Sequence, residues 1–211
     1  MPILEITQLR LKGVAAHDPA LLENLSDVRR KIQTSSRFYS CIEDPALIYI
    51  LGIWPSLEAH LEFLASPARD EVLGPQENVL KFCWTAHLEL DSMNSLPLDT
   101  PVLGIEKLRI GGGYRAEFEQ VVARYAHILE STHTTKVKHA WRCDPPGSHE
   151  LFLFSGWRDL KSHVTFAEKH QGGSGNDVAD ITCPYDQMQI HHARCLERAQ
   201  IPSAREVHGL S

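Results

Sequence analysis

Trp54-Pro-Ser-Leu-Glu-Ala-His60-Leu-Glu-Phe63 is written a second time in this chain, as Trp157-Arg-Asp-Leu-Lys-Ser-His163-Val-Thr-Phe166. Trp54 answers Trp157, Leu57 answers Leu160, His60 answers His163 and Phe63 answers Phe166, without a gap, at an offset of 103 residues. A period near one hundred residues is too long for a solenoid of short repeats and implies two copies of a whole small domain. In each copy Leu, His and a second apolar residue fall at i, i+3 and i+4, so the motif is a helix whose histidine shares a face with Leu57, Leu61 and Leu64 or with Leu160 and Val164.

The same pairing extends outward. Leu4 to Leu11 is a branched, apolar run ending near Gly13 and answered by Leu103 to Ile110, which suits an opening strand. Asp18-Pro19 caps an amphipathic helix carrying Leu21, Leu22, Leu25, Val28 and Ile32. Gly111-Gly112-Gly113 leads into its counterpart, with Phe118, Val121, Val122, Tyr125, Ile128 and Leu129 at helical spacing. These glycines lack the pattern of a dinucleotide site and read as a flexible helix entry. Two strands follow around Glu43-Asp44-Pro45 in one half and around Asp144-Pro145-Pro146-Gly147 in the other, and then the Trp motif. After connections over 66–78 and 171–183, a last strand closes each half, Val79 to Leu90 and Asp186 to Cys195. The order βαββαβ in each half is the ferredoxin-like unit. The expected boundaries are 1–95 and 96–197 for the two units, with residues 91–101 as linker and 198–211 as a polar tail.

Composition bounds the function. With 27 acidic against 21 basic residues in 211, the net charge of −6 argues against an electrostatic grip on nucleic acid or anionic membrane. No apolar run is long enough to cross a bilayer, and the start reads as a strand, not a secretion signal. Five cysteines without CxxC spacing suit neither a disulfide framework nor a zinc site, so a cytoplasmic protein is expected.

The strand ending in Trp54, the helix with Leu57, His60 and Leu61, and Ser66-Pro67 together resemble the dimeric α/β barrel superfamily, especially its antibiotic biosynthesis monooxygenase type. The match is fullest over residues 1–90. The second half keeps Trp157, Leu160 and His163 but has Glu168-Lys169 in place of Ser-Pro. The resemblance implies an α+β fold in which two tandem ferredoxin-like (βαββαβ) units pack as an intramolecular dimeric α/β barrel. The chain would be a monomeric pseudo-dimer or a homodimer. The superfamily holds oxygenases, cyclases, haem enzymes, isomerases and stress proteins, and fold alone does not choose among them. Neither hairpin has the Asn that its oxygenase and haem-degrading members commonly use near the pocket.

Twelve histidines are many for this length, and histidine exchanges protons most readily near neutral pH. His87, His191 and His192 stand on the closing strands. Because neighbouring strand residues alternate, one of the adjacent pair must face the helices, where the superfamily's pocket lies. These three are the expected catalytic acid/base residues. Tyr39 and Trp141, aligned at the offset of 102 that also pairs Cys41 with Cys143, are expected pocket walls, with His60, His163, Trp54 and Trp157 beside them. No metal is expected, since His191-His192 leave opposite strand faces and no HxH pattern occurs. No cofactor is expected either; haem is the alternative, with His60, His163 or His170 as its ligand. The leading expectation is cyclisation, dehydration or rearrangement of a small hydrophobic, polyketide- or terpenoid-like substrate of secondary metabolism. The alternatives are a cofactor-independent monooxygenase of a phenol and a non-catalytic protein that binds a hydrophobic ligand or serves in stress.

Overall fold

Eight strands form one antiparallel sheet in the computed structural model, which describes residues 1–110, 115–133, 136–144, 149–171 and 185–197. The Gly111–Gly113 entry, the turn 145–148, most of the second connection and the tail from 198 lie outside the described residues. The first half contributes β1 (Ile3–Leu11), α1 (Pro19–Ile32), β2 (Arg37–Cys41), β3 (Leu47–Trp54), α2 (Leu57–Ala65), α3 (Ala68–Leu73) and β4 (Leu80–Leu88). The second contributes β5 (Val102–Ile110), α4 (Arg115–His133), β6 (Val137–Trp141), β7 (Glu150–Trp157), α5 (Leu160–Gln171) and β8 (Tyr185–Cys195). The fold is thus mixed α+β, consistent with a ferredoxin-like arrangement, and none of its described helices is long and apolar enough to cross a membrane.

Strand order is β4-β1-β3-β2-β8-β5-β7-β6. At the centre β2 pairs with β8, Tyr39 opposite Cys195 and Cys41 opposite Ala193. The two outer strands also meet, through a bridge between Leu88 and Arg142; there Cys143 N–H donates to the His87 carbonyl at 2.8 Å and Glu89 N–H to the Trp141 carbonyl at 2.9 Å. One sheet face carries a core shared by both halves, with Leu4, Ile6, Tyr49 and Leu51 packed in one cluster with Leu103, Ile105, Phe152 and Phe154. The opposite face is covered by helices. Leu21 and Leu25 of α1 pack there with Phe38 and Ile48, and Phe118 and Val122 of α4 pack with Leu151 and Leu153.

Local chemistry sets the helix starts. Asp18 Oδ1 accepts from the N–H groups of Ala20 and Leu21, and Pro19 costs nothing in the first turn because its missing N–H would be unpaired there. Ser56 Oγ accepts from Ala59 N–H at 3.2 Å, and Asp159 Oδ1 takes the equivalent bond from Ser162 N–H at 2.7 Å.

Three expectations change. The connection 66–78 is not a plain loop but holds α3 and a 3₁₀ turn over Gly74–Asn78. The inward face of α2 is His60 with Phe63, while Leu61 is 49% exposed; in α5 Phe166 turns in and Val164 is 47% exposed. Each short helix points its aromatic edge at the Trp that precedes it, so the aliphatic side of the motif is left to solvent. Tyr39 and Trp141 also do not share a place. Tyr39 lies opposite Tyr49 on the shared-core face, whereas Trp141 lies opposite Leu151 on the helix face. The true correspondence is one residue shorter than the assumed 102, and such a slip exchanges sheet faces.

Candidate active site

Between the first-half sheet and α1, α2 and α3 lies a cavity of about 370 Å³. Its wall is mostly apolar, with Leu25, Phe38, Ile50 and Phe63 prominent, and Phe82 and Leu64 stand partly exposed beside them. Alternation along β1 brings Glu5, Thr7 and Leu9 to this face, and β4 adds Thr85. Glu5 is held from two sides. Thr7 Oγ1 donates to its Oε1 at 2.5 Å, and Trp54 Nε1–H donates to its Oε2. Thr7 and Thr85 hydroxyls bond each other at 2.6 Å across the strand pair.

Trp54 also stacks on His60, with ring centroids 4.3 Å apart and planes within 18°. His60 is 4% exposed and aims Nε2 at Glu5 Oε2, 3.7 Å away, while its Nδ1 meets His87 Nε2 at 2.6 Å. Burial pushes the His60 pKa down, which Glu5 opposes and His87 reinforces, so the ring is neutral near pH 7. Beyond His87 stands Asp144: its Oδ2 is 3.4 Å from His87 Nδ1, and its Oδ1 accepts the His87 backbone N–H at 3.1 Å. Burial raises the Asp144 pKa, but His87 and the two-toothed Arg142 guanidinium, at 2.7 and 2.9 Å, outweigh it and hold the carboxyl well below its ordinary range.

The second half repeats much of this with altered parts. Trp157 stacks on His163 at 4.2 Å, and His163 Nδ1 meets His192 Nε2 at 2.6 Å. His192 Nδ1 bonds Glu43 Oε1, while Glu43 Oε2 accepts the His192 backbone N–H at 2.9 Å. Glu5 lies opposite Gly52 and His87 in the ladders; at the same register Gly104 lies opposite Ser155 and His192. No side chain fits at Gly104, since a Cβ would sit 2.6 Å from Ser155 Oγ, and that hydroxyl now accepts Trp157 Nε1–H at 2.8 Å. Two residues further on, where β1 has Thr7, β5 has Glu106. It is 3% exposed, its Oε1 finds no hydrogen-bond donor, and burial pushes its pKa up to about 7.

The structure therefore joins residues that the sequence kept apart. His60 and His87 form one dyad, His163 and His192 another, and each is buried against the Trp of its motif. His87 does not reach the cavity; His60 stands between. Of the adjacent pair, His192 faces the helices, and His191 points to the other face, where Nδ1 bonds the Tyr49 hydroxyl, itself bonded by Gln8. Tyr39 is buried in the shared core, and Trp141 packs on Phe118 and donates Nε1–H to Glu119 at 2.7 Å, so neither lines this cavity. The side chain of His170 is outside the described residues. Glu5, Glu43 and Asp144 had not been singled out. Glu5 alternates with Leu4 and Ile6 and reads as an ordinary solvent-facing strand residue, and the other two sit in turns where acidic residues are common.

No protein-family model matches the chain, and no curated protein matches it. Solved structures do. An anthrone oxidase-like protein superposes with a TM-score of 0.67 at 10% identity, covering 92% of this chain and 91% of its own. A monooxygenase-like protein from Fusobacterium nucleatum gives 0.62 at 12% identity over 93% of both chains. A heme-binding protein from Thermus thermophilus gives 0.55 at 10% identity over 92% of this chain and 90% of its own. Chlorite dismutases superpose as well. This company, which includes heme-binding and chlorite dismutase structures, overturns the expectation that such a chain has no cofactor. Tested on the cavity itself, however, an iron at His60 does not fit: Nδ1 is taken by His87, and Glu5, pinned by Trp54 and Thr7, stands 3.7 Å from Nε2 and leaves no room for a macrocycle between them. At these identities the likeness is one of fold: the chain shares its architecture with monooxygenase-like, chlorite dismutase-like and heme-binding proteins.

Proposed function

We propose that the first-half cavity oxygenates an electron-rich, phenol-type aromatic substrate, with Glu5 and His60 as the base. The observation that carries this reading is a carboxylate fixed by Trp54 and Thr7 inside a largely apolar cavity, facing the bare edge of a neutral imidazole. An apolar wall strengthens such a pair, because little water competes for the proton. The substrate loses a proton from an acidic C–H or O–H to the Glu5–His60 pair, and the resulting electron-rich carbanion adds dioxygen, the co-substrate. Collapse of the peroxide at a methylene carbon leaves a carbonyl, and the second oxygen departs as water with the two hydrogens of the methylene. The Thr7 and Thr85 hydroxyls on the cavity wall have their protons committed and can accept a hydrogen bond from a phenolic O–H.

We infer in addition that the chain is a tandem pair of βαββαβ units that fold as an intramolecular α/β barrel. Three features support it: ladder registers that match between halves, one core cluster drawn from both, and junctions at both sheet ends.

Anthrone is the probe. The protein should consume one dioxygen per anthrone at a rate above the spontaneous reaction, and Glu5→Gln should lower that rate roughly 10² to 10³-fold, the scale of a lost general base. An oxygen electrode reading no uptake beyond the protein-free control refutes the assignment.

A further inference from the structure

The two histidine dyads end on carboxylates that come from the opposite half of the chain. Asp144 follows β6 and meets His87 of β4; Glu43 follows β2 and meets His192 of β8. These contacts sit where the strand quartets meet, at the Leu88–Arg142 bridge and at the β2–β8 pairing, so the junctions that join the halves also complete their dyads.

Charge and hydrogen bonding then order the protons. His87 Nδ1 makes no hydrogen bond, but the ionised Asp144 carboxylate 3.4 Å away favours a proton there, as Glu43 does on His192 Nδ1 through a direct bond. His87 Nε2 is left as an acceptor, and the 2.6 Å contact requires His60 to donate from Nδ1. In a neutral ring His60 Nε2 is then a lone pair, and it is this atom that faces Glu5 and the cavity. A proton arriving at His60 Nε2 can pass on by moving the shared proton from His60 Nδ1 to His87 Nε2. The positive charge then rests on His87, beside Asp144. The groups that face this path are Glu5 from β1, Asp144 with Arg142 behind it, and the Cys143 thiol on the His87 carbonyl at 3.3 Å.

We infer that Asp144 is a positioning residue for the first-half site, setting the tautomers of His87 and His60 so that Nε2 of His60 is basic toward the cavity, and that Glu43 sets His192 and His163 in the same way. This deepens the acid–base reading of Glu5 and His60, but its test needs no substrate. Asp144→Asn keeps an oxygen for the His87 backbone N–H and Arg142 Nε, gives up the acceptor for Arg142 Nη2, and turns an N–H donor toward His87 Nδ1. The whole chain of tautomers should then reverse, leaving an Nε2–H on His60 aimed at Glu5.

The experiment is long-range ¹H–¹⁵N correlation on the full chain with labelled histidine, at pH 8. The wild type should show both His60 and His87 with the proton on Nδ1, and Asp144→Asn should move both to Nε2. With anthrone, the variant should lose roughly 10² to 10⁴-fold in kcat with little change in KM. His60 protonated on Nε2 in the wild type, or unchanged tautomers in the variant, overturns the inference. Should Asp144→Asn not fold, Glu43→Gln reports on His163 and His192 by the same readout. Expected tautomers without oxygen uptake sink only the oxygenase reading; oxygen uptake with indifferent tautomers sinks only the relay.

Discussion

Replacing Glu106 by Gln should make stability less dependent on pH, in a window that can be worked out beforehand. Glu106 is 3% exposed and unpaired at Oε1, and desolvation raises its pKa from 4.5 to about 7. The folded state therefore keeps a proton that the unfolded chain has already released. Its contribution is fully present below pH 4.5 and is lost as the pH rises toward 7. A shift of this size corresponds to about 3 kcal/mol, of which about 2.5 kcal/mol falls between pH 5 and pH 8. Gln has nearly the same shape and never ionises, so the slope vanishes in the variant while the burial of an unpaired polar group remains at every pH. Urea unfolding of both proteins at pH 5, 6, 7 and 8 measures the difference directly, and every other titrating group cancels in it. The variant should gain on the wild type steadily, by about 2.5 kcal/mol across the range. A difference that stays flat within about 0.5 kcal/mol would show that Glu106 is solvated or paired, and the desolvation argument would fall.

Two further perturbations probe the site's construction. Trp54→Phe keeps the stack on His60 and the tilted contact with Phe63 but removes the Nε1–H bond to Glu5, so urea unfolding should show a loss of about 1.5 to 3 kcal/mol, the range for a bond to a charged group; no change would mean that Thr7 alone holds the carboxylate. Haemin added to wild type and to His60→Ala should give the same visible spectrum in both, because Glu5 stands where an iron on His60 would need its macrocycle; a Soret band present in the wild type and lost in the variant would contradict that geometry.

The fold was legible because its signals are local. Asp18-Pro19, the turn at Glu43-Asp44-Pro45 and the twice-written Trp motif are each read within a few residues, and they mark elements that the structure forms. Position on a sheet face is a harsher test. One residue of error in aligning the second strands was enough to set Tyr39 beside Trp141, although the two lie on opposite faces. The histidines were visible as candidates, but their partnership was not, since His60 and His87 meet across a helix–sheet interface 27 residues apart in sequence.

The carboxylates show why a strand pattern can hide a site. Leu4-Glu5-Ile6-Thr7 alternates as a half-exposed strand does, and alternation reports only that two faces differ in polarity, not that the polar one meets water. Here α1 and α2 cover that face, and Trp54 and Thr7 hold the Glu5 carboxyl inside a largely apolar cavity. Where Ser155 takes over as acceptor for the Trp of the second half, Gly104 stands at the register of Glu5 and the carboxylate reappears one step along the same face as Glu106. The two halves thus place their buried carboxyl groups differently: Glu5 accepts two hydrogen bonds, and Glu106 is left without a donor at Oε1. That difference in pairing, on a shared Trp–His scaffold, is what sets the two sites apart, and it follows from three differences on one sheet face.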